Sequence, residues 1–489
     1  MRLRLATFRR RGLPLLVVAL ACGACAALKE SSSNDAGASG ASGDAQAADA
    51  SPPSDAEAPD AAVVEGGPTP DRVAPPLDSV CPEWAEKTTP VAVGNACDAR
   101  RRMPIDNGVL TRRLGVAVTS GGRVAAGYGR FNFDTASELR VTHFSAASPS
   151  LADKATVALG NGLSNLWGEA VAVAAGEGDE VHVVSNDFDE APRGQVVYRR
   201  FAGGALGAPS VVTTNVPRGA PLAIAAGKAG ELLVTSFQPA GGDAAQGGVG
   251  VGMYRPGAAE RFGLPSPFST TVDPRTTVYA GAASVAREPS GLFQAFYCEA
   301  LSATFGQPTS ISKVRSYSTA GGWAPGATAV HNRIPDGLSG LDPAFVSRDG
   351  VRYATFFHLP ANGASAQLVS LVWTGEAEPV VSVIERDIKV PPLGGPPSFA
   401  QALAVDSFGQ MHVVLHQERP SSIASSVTYL RQTRVDGLTQ WIQEDVDDEV
   451  SDPGTPGRVA LALDSRDRPH ILYYTQKRLT LVYATRFDR

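Results

Sequence analysis

Ala402-Leu-Ala-Val-Asp-Ser-Phe-Gly-Gln-Met-His-Val-Val-Leu-His416 returns fifty-eight residues later as Ala460-Leu-Ala-Leu-Asp-Ser-Arg-Asp-Arg-Pro-His-Ile-Leu-Tyr-Tyr474. Each copy reads as an apolar strand, a tight turn opened by Asp-Ser, and a second apolar strand. Fainter copies begin at Gly115, Glu169, Leu222, Ala283 and Ala344. In register, the seven place their turn at Gly122, Asp179, Gly230, Gly291, Gly350, Gly409 and Asp467, spaced by 57, 51, 61, 59, 59 and 58 residues. Glycine and aspartate suit a turn residue with positive φ. A period near 58 accommodates four strands with their loops, and seven units fill Cys81 to Arg489. The expected fold is therefore all-β: a seven-bladed β-propeller of four-stranded blades.

The last repeat runs out of chain after its third strand, so its fourth must come from elsewhere. Trp84-Ala-Glu-Lys-Thr-Thr-Pro-Val-Ala-Val93 resembles the fourth strands that start at Trp323 and Trp441, and is expected to close the ring from the N-terminal side. Closure removes the open sheet edges of a linear array.

Composition agrees. The 489 residues are 43% hydrophobic and 19% charged, with 51 Gly and 36 Pro, which favours a turn-rich β protein and excludes wholesale disorder. Lysine is scarce, at 7 against 36 Arg. A chain starting at Cys22 carries a net charge of −11, the opposite of what a nucleic-acid binder needs.

The N-terminus reads as an export signal. Arg2, Arg4, Arg9, Arg10 and Arg11 precede a charge-free stretch from Gly12 to Leu28, too short and too interrupted by Pro14 for a permanent span. Ala19-Leu-Ala-Cys22-Gly-Ala-Cys25 follows, and there the chain resembles bacterial lipoproteins, whose small residues precede a cysteine that becomes the lipidated N-terminus. Cys22 fits with Leu20 one place too close; Cys25 is the alternative, and soluble secretion the other outcome. The arginine run leaves a twin-arginine route open. Two acyl chains give stable anchoring, so the resemblance implies a lipid-anchored protein of the cell envelope. Residues 1–25 form the signal and lipobox, and residues 26–80 an Ala/Ser/Asp/Pro-rich tether of net charge −8. The tether is expected to be disordered, with an end-to-end distance of roughly 40 Å.

Cys81 and Cys97 flank the expected closing strand and are read as a disulfide, provided the segment folds back to bring their Cα atoms within about 7 Å. Cys298 ends a second strand and is read as a buried thiol.

Several positions invite chemistry. His182, His412 and His470 share one repeat position, but in different blades; with Asp406 and Asp464 six residues before the last two, a cross-strand Asp–His lock is the preferred reading over a metal. No metal and no cofactor is expected. Where the second strand should end, the blades give Arg130, Asp187, Gln238, Glu299, His358, Gln417 and Thr475, all polar. Arg218, Arg275 and Arg333 lie in connections to the same face, where an arginine set suits carboxylate or sulfate groups.

The repeat resembles BNR and sialidase-like propellers, with units of the form apolar strand, Asp-Ser-x-Gly, His, apolar strand. Arg333-Ile-Pro335 looks like the Arg-Ile-Pro element whose arginine binds the substrate carboxylate in true sialidases. The Ser-x-Asp-x-Gly-x-Thr-Trp box is missing, and the only carboxylates on the candidate face are Asp187 and Glu299, where a glycosidase needs two at a defined separation. The expectation is a monomeric, non-enzymatic module that binds a glycan or an envelope protein. The alternatives are a sialidase-like glycoside hydrolase or lyase, using Asp187 and Glu299, and a scaffold subunit of an envelope complex.

Overall fold

The computed structural model describes residues 85–86 and 100–486, apart from 108, 111–113, 132–136, 147–154, 164–169, 188–192, 218–220, 240–247, 270–282, 301–309, 332–336, 361–364, 390–399, 419–424, 436–437 and 452–458. The expected signal segment and tether, with Cys22, Cys25, Cys81 and Cys97, lie outside the described residues.

Seven sheets form, and each has the expected order of strands A to D. Blade 6 is typical, with A at Ala400–Val405, B at Met411–Glu418, C at Ser425–Val435 and D at Leu438–Ser451. The A strands of the other blades are Gly115–Val118, Val171–Ala175, Ala223–Ala226, Ser284–Arg287, Gly337–Arg348 and Val459–Leu463. Each A strand lies against the A strand of the next blade, and that of blade 7 lies against that of blade 1, so the seven encircle one axis. The core is a ring of seams. Blades 2 and 3 share a cluster that includes Tyr198, Val212, Leu232 and Phe237, and blades 7 and 1 share one that includes Tyr128, Phe144, Leu472 and Tyr483. Blade-to-blade burial explains why B strands are apolar on both faces. In blade 6 every residue of strand B is buried.

Six of the seven turn positions take positive φ where expected, from 60° at Asp467 to 94° at Gly291. Blade 2 differs. In Glu177-Gly-Asp-Glu180 the glycine, Gly178, takes the left-handed position at φ 62°, because it alone lacks the Cβ that penalises it. The side chain of Asp179 instead accepts a hydrogen bond from Thr119 Oγ1 of blade 1 at 2.9 Å. Such links run from turn to turn: Ala229 N donates to Glu177 (2.8 Å), Arg287 to Glu231 (3.2 Å) and Arg352 to Glu288 (2.8 Å). Arg348 donates to the Val405 carbonyl (2.9 Å), and Ser407 N to Asp467 (2.8 Å). The A–B face is thus stitched from blade 1 through blade 7.

The ring is closed by an N-terminal strand, but not by residues 84–93. Arg100–Asn107 pairs antiparallel with strand C of blade 7, Thr480–Arg486, and supplies its strand D. Of the segment 84–93, the described residues Ala85–Glu86 lie outside it, parallel to Arg101–Arg102. The closing strand escapes a hydrophobicity reading because only Met103 and Ile105, each 2% exposed, are apolar anchors, and because Pro104 marks an edge strand. A bulge between Pro104 and Asp106 reverses its alternation. Arg102 therefore turns to blade 6, 3.0 Å from Asp447. Asp106 turns to blade 1, accepting Tyr128 Oη at 2.7 Å and Arg140 Nη1 at 3.0 Å.

Candidate functional site

Strand B is second from the axis, so its side chains alternate between the two flanking seams instead of pointing to a common centre. Gln238 reaches back to blade 2, where Nε2 donates to Thr213 Oγ1 at 3.1 Å. Glu299 is buried and ion-paired with Lys313 from strand C of its own blade. His358, Gln417 and Thr475 are buried as well, whereas Arg130 and Gln238 are partly exposed. Asp187 ends strand B of blade 2, Val181–Asp187, and its side chain lies outside the described residues, as do Arg218, Arg275 and Arg333. Cys298 is buried, at 1% exposure.

The aligned histidines each bond within their own blade. His182 Nδ1 pairs with Tyr198 Oη at 2.9 Å, His470 Nδ1 with Tyr483 Oη at 2.7 Å, and His412 Nδ1 with Tyr429. On the other side of the ring, His412 Nε2 meets Asp406 Oδ2 at 3.2 Å, and His470 Nε2 lies 3.5 Å from Asp464 Oδ2. Blade 2 has Gly176 at the aspartate position, where a Cβ would come within 2.5 Å of His182 Nε2. The tyrosines went unread in the sequence, and they complete an Asp–His–Tyr column across strands A, B and C. Among the described residues, no three His, Cys, Asp or Glu side chains gather as a metal would require.

Burial lowers two of these imidazoles, those of His182 and His470. His182 is pushed down to about 4 by burial and then by the Arg255 guanidinium, and His470 is lowered by burial against the pull of Asp464. A depressed histidine leaves the folded state holding fewer protons than the unfolded chain between about 4 and 6.5. Stability should therefore rise with pH through that window and be lost as pH falls, by at most about 1.4 kcal/mol per unit for each group. Urea midpoints measured from pH 7.5 to 4.5 should begin to fall near pH 6.5, and the fall should be shallower in His182→Gln. An unchanged slope in that variant would remove His182 from the account.

No known protein family and no curated protein matches the sequence. Solved structures do match. A polysaccharide lyase of family PL25, an ulvan lyase described bound to -[GlcA(1-4)Rha3S]-, superposes with a TM-score of 0.52 at 9% identity, covering 79% of this chain and 96% of the lyase. The likeness is one of fold. A Penicillium chrysogenum α-L-arabinanase (TM-score 0.42, 8% identity, 78% and 97% covered) and a Hadza microbial sialidase (0.40, 10%, 79% and 69%) are also similar in architecture. The chain thus shares the fold of the ulvan lyase, and fold alone assigns no activity.

Proposed function

We propose that this chain is a propeller of the cell envelope, lipid-anchored through Cys22 or Cys25, that binds a glycan or an envelope protein without turning it over. The asymmetry of the two axial mouths supports this reading. Every A–B connection is two to five residues long, and these turns are cross-linked from blade to blade. In sequence the D–A connections are longer, up to the sixteen residues between Pro267 and Ser284, and include Arg218, Arg275 and Arg333; by strand order they join the same end of the blades as the polar ends of the B strands. Long connections on a rigid scaffold are where binding groups concentrate. Of the two acids on that face, Glu299 already holds Lys313, which suits a structural role better than a proton-transfer one.

The second reading, a glycoside hydrolase or lyase, is favoured by the fold-level likeness to the ulvan lyase. A glycan array and a glycosidase and lyase screen on the full-length protein separate the two. The binding module predicts saturable binding without turnover, weakened tenfold or more by Arg130→Ala or Arg333→Ala. Turnover abolished by Asp187→Asn or Glu299→Gln would replace it with the enzyme.

A further inference from the structure

A different seam carries chemistry that the B-strand ends do not. Tyr254 lies near the end of strand C of blade 3 (Gly248–Arg255), Tyr317 near the end of strand C of blade 4 (Ser310–Ser318), and Trp323 sits opposite Tyr317 on the short fourth strand Gly322–Trp323. Their rings touch in sequence. The centroids of Tyr254 and Tyr317 are 5.1 Å apart, and those of Tyr317 and Trp323 are 5.1 Å apart and edge-on. All three are partly exposed, whereas the other eight described tyrosines are buried. Aromatic rings left half-wet, with a polar tip in reach of water, are the kind that recognise ligands.

Two glycines create the arrangement. A Cβ on Gly252 would stand 2.4 Å from the Trp323 ring, so only glycine lets the indole of blade 4 lie on strand C of blade 3. Trp323 Nε1 donates to the Ser266 carbonyl at 3.1 Å and fixes the ring there. A Cβ on Gly227 would stand 2.6 Å from the Glu231 carboxylate and 3.0 Å from Arg287 Nε. The space it leaves lets Glu231 and Arg287 meet beside the rings: Arg287 Nη2 donates to Glu231 Oε2 at 3.2 Å, and Tyr254 Oη donates to Glu231 Oε1 at 3.2 Å. Burial, with Glu231 beside it, pushes Tyr254 up to about 12, so its hydroxyl remains a donor at neutral pH.

We propose that the seam between blades 3 and 4 is a binding site for a neutral pyranose, stacked on Tyr254, Tyr317 and Trp323 with its hydroxyls held by Glu231 and Arg287. The apolar C–H face of a sugar carries partial positive charge that the negative face of an aromatic ring attracts. The sugar's rim is hydroxyl, which wants an acceptor and a donor side by side, and the carboxylate and guanidinium provide both. Glu231 lies in an A–B connection and Tyr254 and Tyr317 near the C–D ends of their C strands, so this site opens on the face opposite the B-strand ends and stands independently of the reading given for them.

The test titrates the full-length protein with cellohexaose, mannohexaose and chitohexaose, following tryptophan emission and saturation transfer from protein to sugar. At least one of these sugars should bind saturably, with transfer strongest at its C–H protons. Tyr317→Ala and Glu231→Gln should each weaken binding tenfold or more, Tyr254→Phe by less than fivefold, and Arg130→Ala not at all. Thermal melts identify any variant that fails to fold, and wild-type saturation transfer does not depend on the variants. If none of the three sugars binds the folded protein, or if Tyr317→Ala binds as well as wild type, the site is not what we propose. An envelope protein lost on Tyr317→Ala, with no sugar bound, would assign the seam to protein contact and overturn it equally.

Discussion

A chain that begins at residue 108 is expected not to fold cooperatively, while one that lacks only residues 81–97 should melt within a few degrees of the full-length protein. The difference lies in Arg100–Asn107. Removing that strand exposes the cores that Met103 and Ile105 seal, each 2% exposed, at about 2 kcal/mol per side chain. It also strips Asp106 from Tyr128 and Arg140 on blade 1, and Arg102 from Asp447 on blade 6. Each buried polar group that loses its partner costs about 1–3 kcal/mol. The total approaches 10 kcal/mol, comparable to the whole stability of a typical folded protein. Ala85–Glu86, by contrast, contributes two residues of parallel pairing at an outer edge. Circular dichroism melts of the two truncations decide the matter. A cooperative melt of 108–489 near the wild-type temperature would mean that the ring holds without its clasp, and a collapse of the 81–97 deletion would move the clasp to the earlier segment.

Why the repeat was readable and its clasp was not follows from what each owes to its neighbours. The A–B hairpin is local: an Asp-Ser turn, a residue at positive φ and a histidine all lie within about a dozen residues, so insertions elsewhere in the blade leave their register intact. Six of the seven turn residues were found for that reason, and the seventh slipped by one where Gly178 competes with Asp179. Strand C is reached through B–C connections of differing length. The histidine-to-tyrosine distance is accordingly 16 residues in blade 2, 17 in blade 6 and 13 in blade 7, and no fixed spacing marks the pair. The closing strand belongs to no repeat; its three arginines and Pro104 disguise a segment whose burial is imposed by blades 1 and 6. The candidate site suffered from geometry. Seven polar residues share one register at the ends of the B strands, and a linear alignment does not show which seam a side chain enters, as Gln238 does in reaching Thr213 of blade 2. Tyr317 and Trp323 face each other across a hairpin of blade 4, but the trio was invisible because Tyr254 joins them only where blades 3 and 4 meet.

Asp464→Ala is expected to destabilise the protein by about 3 kcal/mol or more, a larger effect than any other single side-chain removal on the A–B face. The side chain is nearly inaccessible and holds four groups. Oδ1 accepts the backbone N–H of Arg466 at 2.9 Å and of Arg468 at 3.0 Å, which fold the turn back on itself. Oδ2 accepts Arg468 Nε at 2.7 Å and lies 3.5 Å from His470 Nε2. Burial opposes the charge, yet the bonds from His470, Arg468 and the turn amides overcome it and hold the carboxyl well below the usual carboxylate range. Alanine leaves the Arg468 charge without its closest acceptor in a poorly solvated turn, the situation in which breaking a buried pair costs about 3–5 kcal/mol. Asn should recover the turn amides but not the ion pair, and so lose less than Ala. The pH dependence has a definite sign. A depressed carboxyl stabilises above its unfolded value near 4, and that contribution is lost as pH falls below it. Wild type should therefore lose its advantage over Asp464→Asn in acid. Chemical denaturation of the three proteins at pH 7 and pH 3 measures both effects. Equal midpoints for wild type and Asp464→Ala at pH 7 would show that the Asp–His–Tyr column decorates the hairpin without holding it.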